Sequence, residues 1–178
     1  MRVISGKYKS QKINTLKSQD TRPTTDQVRE NIFNILNEIE GDVLDLFAGS
    51  GALGIEAVSR GAEYAMFIDG AKDSAEQVKK NVSNIEEPVE VFRNDYRRAL
   101  KAMSKRNKSF DLIFIDPPYH KKIVPEALKL IESLHILKEN GRIVVETHKD
   151  EHYNTHGFTS IKETVYGTIK INILKFGE

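Results

Sequence analysis

From residue 42 onward, short apolar runs alternate with amphipathic stretches along the chain. The runs Asp42 to Ala48, Glu63 to Asp69, Val89 to Asp95, Asp111 to Asp116 and Arg142 to Thr147 carry Val, Ile, Leu and Phe at a density that predicts buried strands. The stretches near Ala52 to Arg60, Lys72 to Val82, Tyr96 to Lys105 and Lys122 to Leu134 have helical character. Apolar strands alternating with helices imply a mostly parallel sheet covered on both faces, a doubly wound α/β fold. The end of the chain breaks the rhythm. Thr159 to Tyr166 and Thr168 to Phe176 meet at Gly167 with no helical segment between them, and strands joined so closely must be antiparallel.

Before this region, Val28, Ile32, Ile35, Leu36 and Ile39 recur at helical spacing. Thr24 and Gln27 fit a capping box at the start of that helix, and Pro23 blocks its backward extension. Arg29 and Glu30 read as ordinary helix surface. Arg2 to Ser5 and Lys12 to Thr15 suggest a small hairpin with Gly6 near its turn. Residues 1–24 therefore read as an N-terminal extension and residues 25–178 as one domain. At 178 residues the chain can hide roughly 70% of its unfolded surface, enough for one core.

Charge changes the picture at one end. Residues 1–22 hold Arg2, Lys7, Lys9, Lys12, Lys17 and Arg22 against Asp20 alone, a balance of +5; with a chain total of +1 the remainder carries −4. Such an arm, with Lys7 and Lys9 near its turn, suits contact with the phosphates of a nucleic acid, and charge alone equally suits a solubilising terminus. The absence of cysteine excludes disulfides and thiolate metal ligands. The first residues lack the apolar stretch of a signal peptide, and no run approaches the roughly 20 apolar residues of a membrane helix. A cytoplasmic monomer without a membrane anchor is the expectation.

The candidate chemistry begins at Asp45-Leu46-Phe47-Ala48-Gly49-Ser50-Gly51-Ala52-Leu53-Gly54, a glycine-rich turn between the first strand of the sheet and a helix. Glycines permit positive φ and close approach of a ligand, while the helix N-terminus offers free N–H groups. Asp45, Phe47, Ala48, Gly49, Ser50, Gly51 and Gly54 are the candidate cofactor-binding residues of this turn. Asp69 ends the next strand 20 residues after Gly49, where a carboxylate can accept hydrogen bonds from ribose hydroxyls. Asp95 ends the third, where it would lie beside a purine ring. The ligand expected is a nucleoside-containing cofactor. The glycine spacing alone is shared with dinucleotide-binding oxidoreductases and does not choose among cofactors.

The choice comes from Phe114-Ile115-Asp116-Pro117-Pro118-Tyr119, where an apolar strand runs into a carboxylate, two prolines and an aromatic ring. Each proline fixes its own φ and restricts the residue before it, so the Asp116 and Pro117 carbonyls point in set directions. The Asp116 side chain and the Pro117 carbonyl could accept both N–H bonds of an exocyclic amine and stabilise the positive charge that develops as it attacks a methyl group. Tyr119 would stack on the base, with Pro118 beside it, and Lys121 and Lys122 could hold a nucleic-acid backbone.

These residues resemble a class I S-adenosylmethionine-dependent methyltransferase. The resemblance implies that Asp45 to Gly54 is the cofactor loop, Asp69 the ribose acid, Asp95 the adenine-side acid, and Asp116 to Tyr119 the amino-methylase tetrapeptide. The closing hairpin also matches that fold. Gly6-Lys7-Tyr8-Lys9 together with Thr21-Arg22-Pro23-Thr24-Thr25-Asp26-Gln27-Val28-Arg29-Glu30-Asn31-Ile32-Phe33 resembles the opening of bacterial RsmD-type methyltransferases. That closer resemblance implies methylation of the 2-amino group of one guanine in 16S ribosomal RNA, within a small-subunit ribonucleoprotein particle. It also implies that Arg22 and Thr24 meet the methionine carboxylate of the cofactor.

Three other readings use the same residues. The acceptor could be adenine in DNA or a glutamine side chain, since similar tetrapeptides, often with Asn first, serve both. A nicotinamide-dependent oxidoreductase would use the glycine spacing and Asp69 but leaves Asp116 to Tyr119 unexplained and lacks a substrate domain. A non-enzymatic RNA-binding module could keep the fold without turnover. No metal is expected, because His135, His148, His152 and His156 are scattered without a matching cluster of acids.

Overall fold

In the computed structural model, which describes residues 1–16 and 25–177, seven strands form one sheet in the order β3-β2-β1-β4-β5-β7-β6. In chain order the elements are α1 (Asp26–Leu36), β1 (Asp42–Asp45), α2 (Ala52–Ser59), β2 (Tyr64–Asp69), α3 (Lys72–Asn81), β3 (Val89–Arg93), α4 (Tyr96–Lys105), β4 (Phe110–Ile115), α5 (Ile123–Ser133), β5 (Leu137–His148), β6 (Phe158–Tyr166) and β7 (Ile169–Phe176). The first five strands are parallel, and β7 pairs antiparallel with both β5 and β6. The fold is the doubly wound Rossmann-like arrangement that the apolar alternation predicts.

Alternate strand residues point to opposite faces, which divides the core in two. Val43, Phe67, Leu112, Phe114 and Val144 face α1, α2 and α3. Leu44, Met66, Ile68, Ile113 and Val145 face α4 and α5. Both faces are covered, so the central strands need no polar side.

Element limits differ from expectation where hydrogen bonding overrides composition. The first strand ends at Asp45 rather than Ala48, although Leu46 N–H still donates to Phe114 O and Ala48 N–H to Ile68 O. The third ends at Arg93, and Asp95 instead caps α4. β5 starts five residues early, at Leu137, which pairs with Phe110 before a register shift; the regular pairing resumes at Arg142 opposite Leu112. Thr25 is the N-cap of α1, its side chain accepting from Val28 N–H, and the Thr24 half of the expected capping box lies outside the described residues. Ile39 is buried beyond the end of that helix. The N-terminal hairpin contracts to one bridge, Arg2 to Lys12.

The hairpin is held by a buried carboxylate. Glu56, in the second turn of α2, accepts from Ile4 N–H (2.9 Å), Ser5 N–H (3.1 Å), Arg60 Nε (2.8 Å) and Arg29 Nη1 (3.4 Å). Arg29 is fully buried, contrary to its reading as helix surface, and its Nη2 also donates to Arg2 O (2.7 Å) and Asp26 (2.8 Å). Buried charges need this many partners because their desolvation is not otherwise offset. Val3 and Ile13 accordingly sit in the same apolar cluster as Ile32 and Phe33.

A second carboxylate ties α2 to the sheet. Asp45 ends β1 fully buried, and its Oδ2 accepts from Gly54 N–H at 3.0 Å. A side chain at Gly54 would put its Cβ 2.4 Å from the ring of Phe67, so α2 reaches the sheet this closely only with glycine there. Burial, against the relief of the Gly54 bond, pushes the Asp45 carboxyl up from 3.8 to about 7.

Two outcomes follow for stability. Glu56→Ala leaves Arg29 charged and buried with fewer partners, and should lower the unfolding free energy by about 3–5 kcal/mol in chemical denaturation. For Asp45 the folded state keeps its proton up to about pH 7 while the unfolded chain releases it near 3.8. Its contribution is therefore complete below about pH 4 and is lost as the pH rises to about 7. Denaturation midpoints at pH 5 and pH 8 should show the wild type losing stability relative to Asp45→Asn on going to the higher pH.

Candidate active site

A cavity of about 790 Å³ opens at the carboxyl ends of the parallel strands, around the point between β1 and β4 where the strand order reverses. Open α/β sheets bind ligands at this position because successive loops there diverge to opposite faces and leave a crevice. The walls come from the ends of all five parallel strands. Asp45 to Ser50 follow β1, Asp69 to Ala71 close β2, Asn94 to Arg97 follow β3, Asp116 to Lys122 follow β4, and Glu146 lies near the end of β5.

On the β1 side the backbone itself is the binding surface. Gly51, at φ +86°, is the N-cap of α2, and Gly49 has φ +60° with open space where a Cβ would stand. Asp69 fixes the turn, its Oδ2 accepting from Gly49 N–H and its Oδ1 from Ala71 N–H, both at 2.9 Å. Asn81 adds a brace, donating to Ser50 O (2.8 Å) and Asn14 O (2.9 Å), and so links the turn to the N-terminal arm. That arm reaches the cavity at Thr15 and Leu16.

Asp95 stands at the third strand end. It accepts from the Arg97 side chain and from the backbone N–H groups of Arg97 and Arg98, and these bonds, the Arg97 guanidinium foremost, hold its carboxyl below the usual range. Phe47 lies against Tyr96, ring centroids 5.4 Å apart, and Tyr96 donates its hydroxyl to Glu126 at 2.7 Å. An apolar slot rimmed by carboxylates results.

On the β4 side, Pro117 is buried while Asp116 and Tyr119 are half-buried. His120 and Lys122 both adopt left-handed backbone, φ +62° and +55°, folding the chain sharply between the tetrapeptide and α5. Glu151 pins this turn to the end of β5 by accepting from His120 N–H (3.0 Å) and His148 N–H (2.8 Å). The Tyr119 ring meets His148 edge-on at 6.2 Å. Ile115 pairs with Val145, so Asp116 and Glu146 follow on adjacent strands. Two carboxylates, a rigid proline turn and an aromatic ring converge on one wall, an arrangement able to hold and orient a group bearing several N–H donors.

Of the residues singled out in the sequence, Asp45, Phe47, Ala48, Gly49, Ser50, Asp69, Asp95, Asp116, Pro117, Pro118, Tyr119, Lys121 and Lys122 line this cavity. Gly51 and Gly54 support its wall from α2. Arg22 and Thr24 lie outside the described residues. Lys7 is placed elsewhere, its ammonium against Glu87 (3.1 Å) and Glu86 (3.5 Å) on the segment that enters β3, at the opposite end of that strand from the cavity. Lys9 is exposed on the same hairpin. The cavity also contains residues that the sequence reading passed over. Glu146, only 3% exposed, had a legible signal, an acid near the end of a parallel strand like Asp69 and Asp116. Tyr96, Arg97 and Glu126 had none, because they meet only when α4 and α5 pack side by side.

Comparison with known proteins supplies independent information. The family model described as "Conserved hypothetical protein 95" matches residues 1–175. Ribosomal RNA small subunit methyltransferase D of Haemophilus influenzae is 36% identical over 179 residues, 97% of this chain and 92% of that protein. YlbH of Bacillus subtilis is 45% identical over 150 residues, 82% of each chain. Among solved structures, that of yhhF from Escherichia coli is 28% identical with a TM-score of 0.83, covering 99% of this chain and 97% of the other. With a cavity at the switch point of the sheet and relatives matched over nearly their whole length, the chain belongs to the ribosomal RNA small subunit methyltransferase D family.

Proposed function

We propose that this protein transfers a methyl group from S-adenosylmethionine to the exocyclic 2-amino group of one guanine in 16S ribosomal RNA, acting as a monomer on the small-subunit ribonucleoprotein particle. The observation that carries this reading is the meeting, in one cavity, of a carboxylate-braced glycine turn and an Asp-Pro-Pro-Tyr wall, in a chain of this family.

The residues present fit the cofactor. The turn at Gly49 and Gly51 leaves backbone open to a ligand, Asp69 and Asp95 offer acceptors for ribose hydroxyls and an adenine amine, and Phe47 gives an apolar surface for the ring. About 790 Å³ is room for a nucleoside and an acceptor base together. When bound, the cofactor supplies an electrophilic methyl group on a positively charged sulfur.

The chain's own groups do the rest. An exocyclic amine on a base is a weak nucleophile because its lone pair is delocalised into the ring. The Asp116 carboxylate and the Pro117 carbonyl accept its two N–H bonds, turn the nitrogen toward the methyl group and offset the charge that develops on it. Tyr119 stacks on the base and, with Pro118, excludes water from the reacting edge. Lys121 and Lys122, exposed at the rim, meet the phosphates that flank the target nucleotide.

Purified protein incubated with labelled S-adenosylmethionine and small-subunit particles from cells lacking the enzyme should place label in N2-methylguanosine at one site; label in another nucleoside or in protein would overturn the acceptor. Asp116→Ala should lower turnover by at least about 10²–10³-fold while leaving cofactor affinity within about twofold. Asp69→Ala removes a ribose acceptor and frees Gly49, and should weaken cofactor binding about tenfold or more in calorimetry.

A further inference from the structure

Among the described residues of the N-terminal arm, Lys7 is occupied by Glu86 and Glu87 and Arg2 donates to Ser10 O, and a denser run of positive charge lies elsewhere. Tyr96 to Lys108 holds Arg97, Arg98, Lys101, Lys105, Arg106 and Lys108 with no acidic residue. Six positive charges there, against a chain total of +1, leave the rest of the molecule at −5. Arg97, Lys101 and Lys105 recur every four residues, one helical turn apart, so they form a stripe along one side of α4.

That side of α4 faces α5 across a groove of about 490 Å³ lined by Arg97, Lys101, Glu126, Lys129, Leu130 and His156 among others. Arg97 and Glu126 also line the larger cavity, so the groove is continuous with the site around Asp116 and Asp95. The acid within it is already engaged, accepting from the Tyr96 hydroxyl at 2.7 Å and facing Arg97 at 3.6 Å. Among the described residues Arg98, Lys101, Lys105 and Lys129 have no ion-pair partner. Lysines on two helices facing one groove repel each other unless an anion lies between them.

We infer that the α4–α5 groove is the track along which the RNA backbone runs into the active cavity, with Lys101 and Lys129 contacting phosphates on opposite sides. This rests on the RNA reading proposed above. A polyanionic strand satisfies both unpaired lysines that line the groove, Lys101 and Lys129, and the groove's continuity with the cavity sets the direction of approach.

The test is the charge-reversed pair Lys101→Glu/Lys129→Glu, assayed on small-subunit particles and for direct binding of protein-free ribosomal RNA. KM for the particles and Kd for RNA should both rise about tenfold or more, with kcat and cofactor affinity within about twofold. The slope of log affinity against log salt should fall by about 1.4 for two lost phosphate contacts. The neutral pair Lys101→Gln/Lys129→Gln, less able to disturb folding, should move both constants the same way by less. Lys79→Glu/Lys80→Glu on α3 makes the same change in net charge away from the groove and should leave them unchanged.

Unchanged KM and salt slope in the first pair, with wild-type protein active, overturn the groove and leave the proposed function standing. Equal losses from the α3 pair assign the effect to net charge and overturn it too. A KM effect on particles without one on protein-free RNA assigns the groove to a particle protein. A wild type that binds cofactor but labels no RNA overturns both readings.

Discussion

Glu56 is the interaction on which the placement of the N-terminal hairpin and α1 depends. Its carboxylate, wholly buried in α2, gathers two backbone N–H groups of the hairpin, the side chain of Arg60 and the guanidinium of Arg29. None of these groups could be buried alone, because each would lose water without a replacement partner. Together they fasten the hairpin and α1 to one face of the sheet. From that anchor the arm continues to Asn14, held by Asn81, and delivers Thr15 and Leu16 to the rim of the cavity. A charge cluster that does not itself line the cavity therefore helps decide what closes one side of it.

The cavity obeys a constraint of a different kind. A parallel sheet brings every strand to its carboxyl end on the same edge, and reversal of strand order between β1 and β4 splits the loops to either face. Asp45 and Asp69 stiffen the opening against the sheet, one by holding Gly54, the other by holding Gly49. On the far side, the prolines after Asp116 and the Glu151 clamp on His120 and His148 make the opposing wall equally fixed. Walls braced in this way suit a site that works by holding its reactants in place.

Much of this was legible in the chain itself. The strands and helices were readable because burial on both faces imposes local apolar runs, and the glycine turn and the tetrapeptide because their chemistry is contiguous in sequence. Even Arg29 left a trace, since it lies four residues before Phe33 and shares its buried side of α1. It reads as surface only because a guanidinium is costly to bury unless a partner such as Glu56, 27 residues away, is present.

What tertiary structure alone decided is which charges are satisfied and which face a ligand. Lys7 and Lys101 are equally basic in the sequence; folding sets the first against Glu86 and Glu87, some 80 residues distant, and leaves the second over a groove beside the cavity. Glu146 and Asp116 become neighbours through the register of β4 with β5, and Phe47 meets Tyr96 only once folding sets the first residue of α4 against the turn that follows β1. Local patterning follows from the period of a helix or strand and can be read from the sequence. Pairings between distant segments follow from how the sheet is wound, and no periodicity in the chain encodes them.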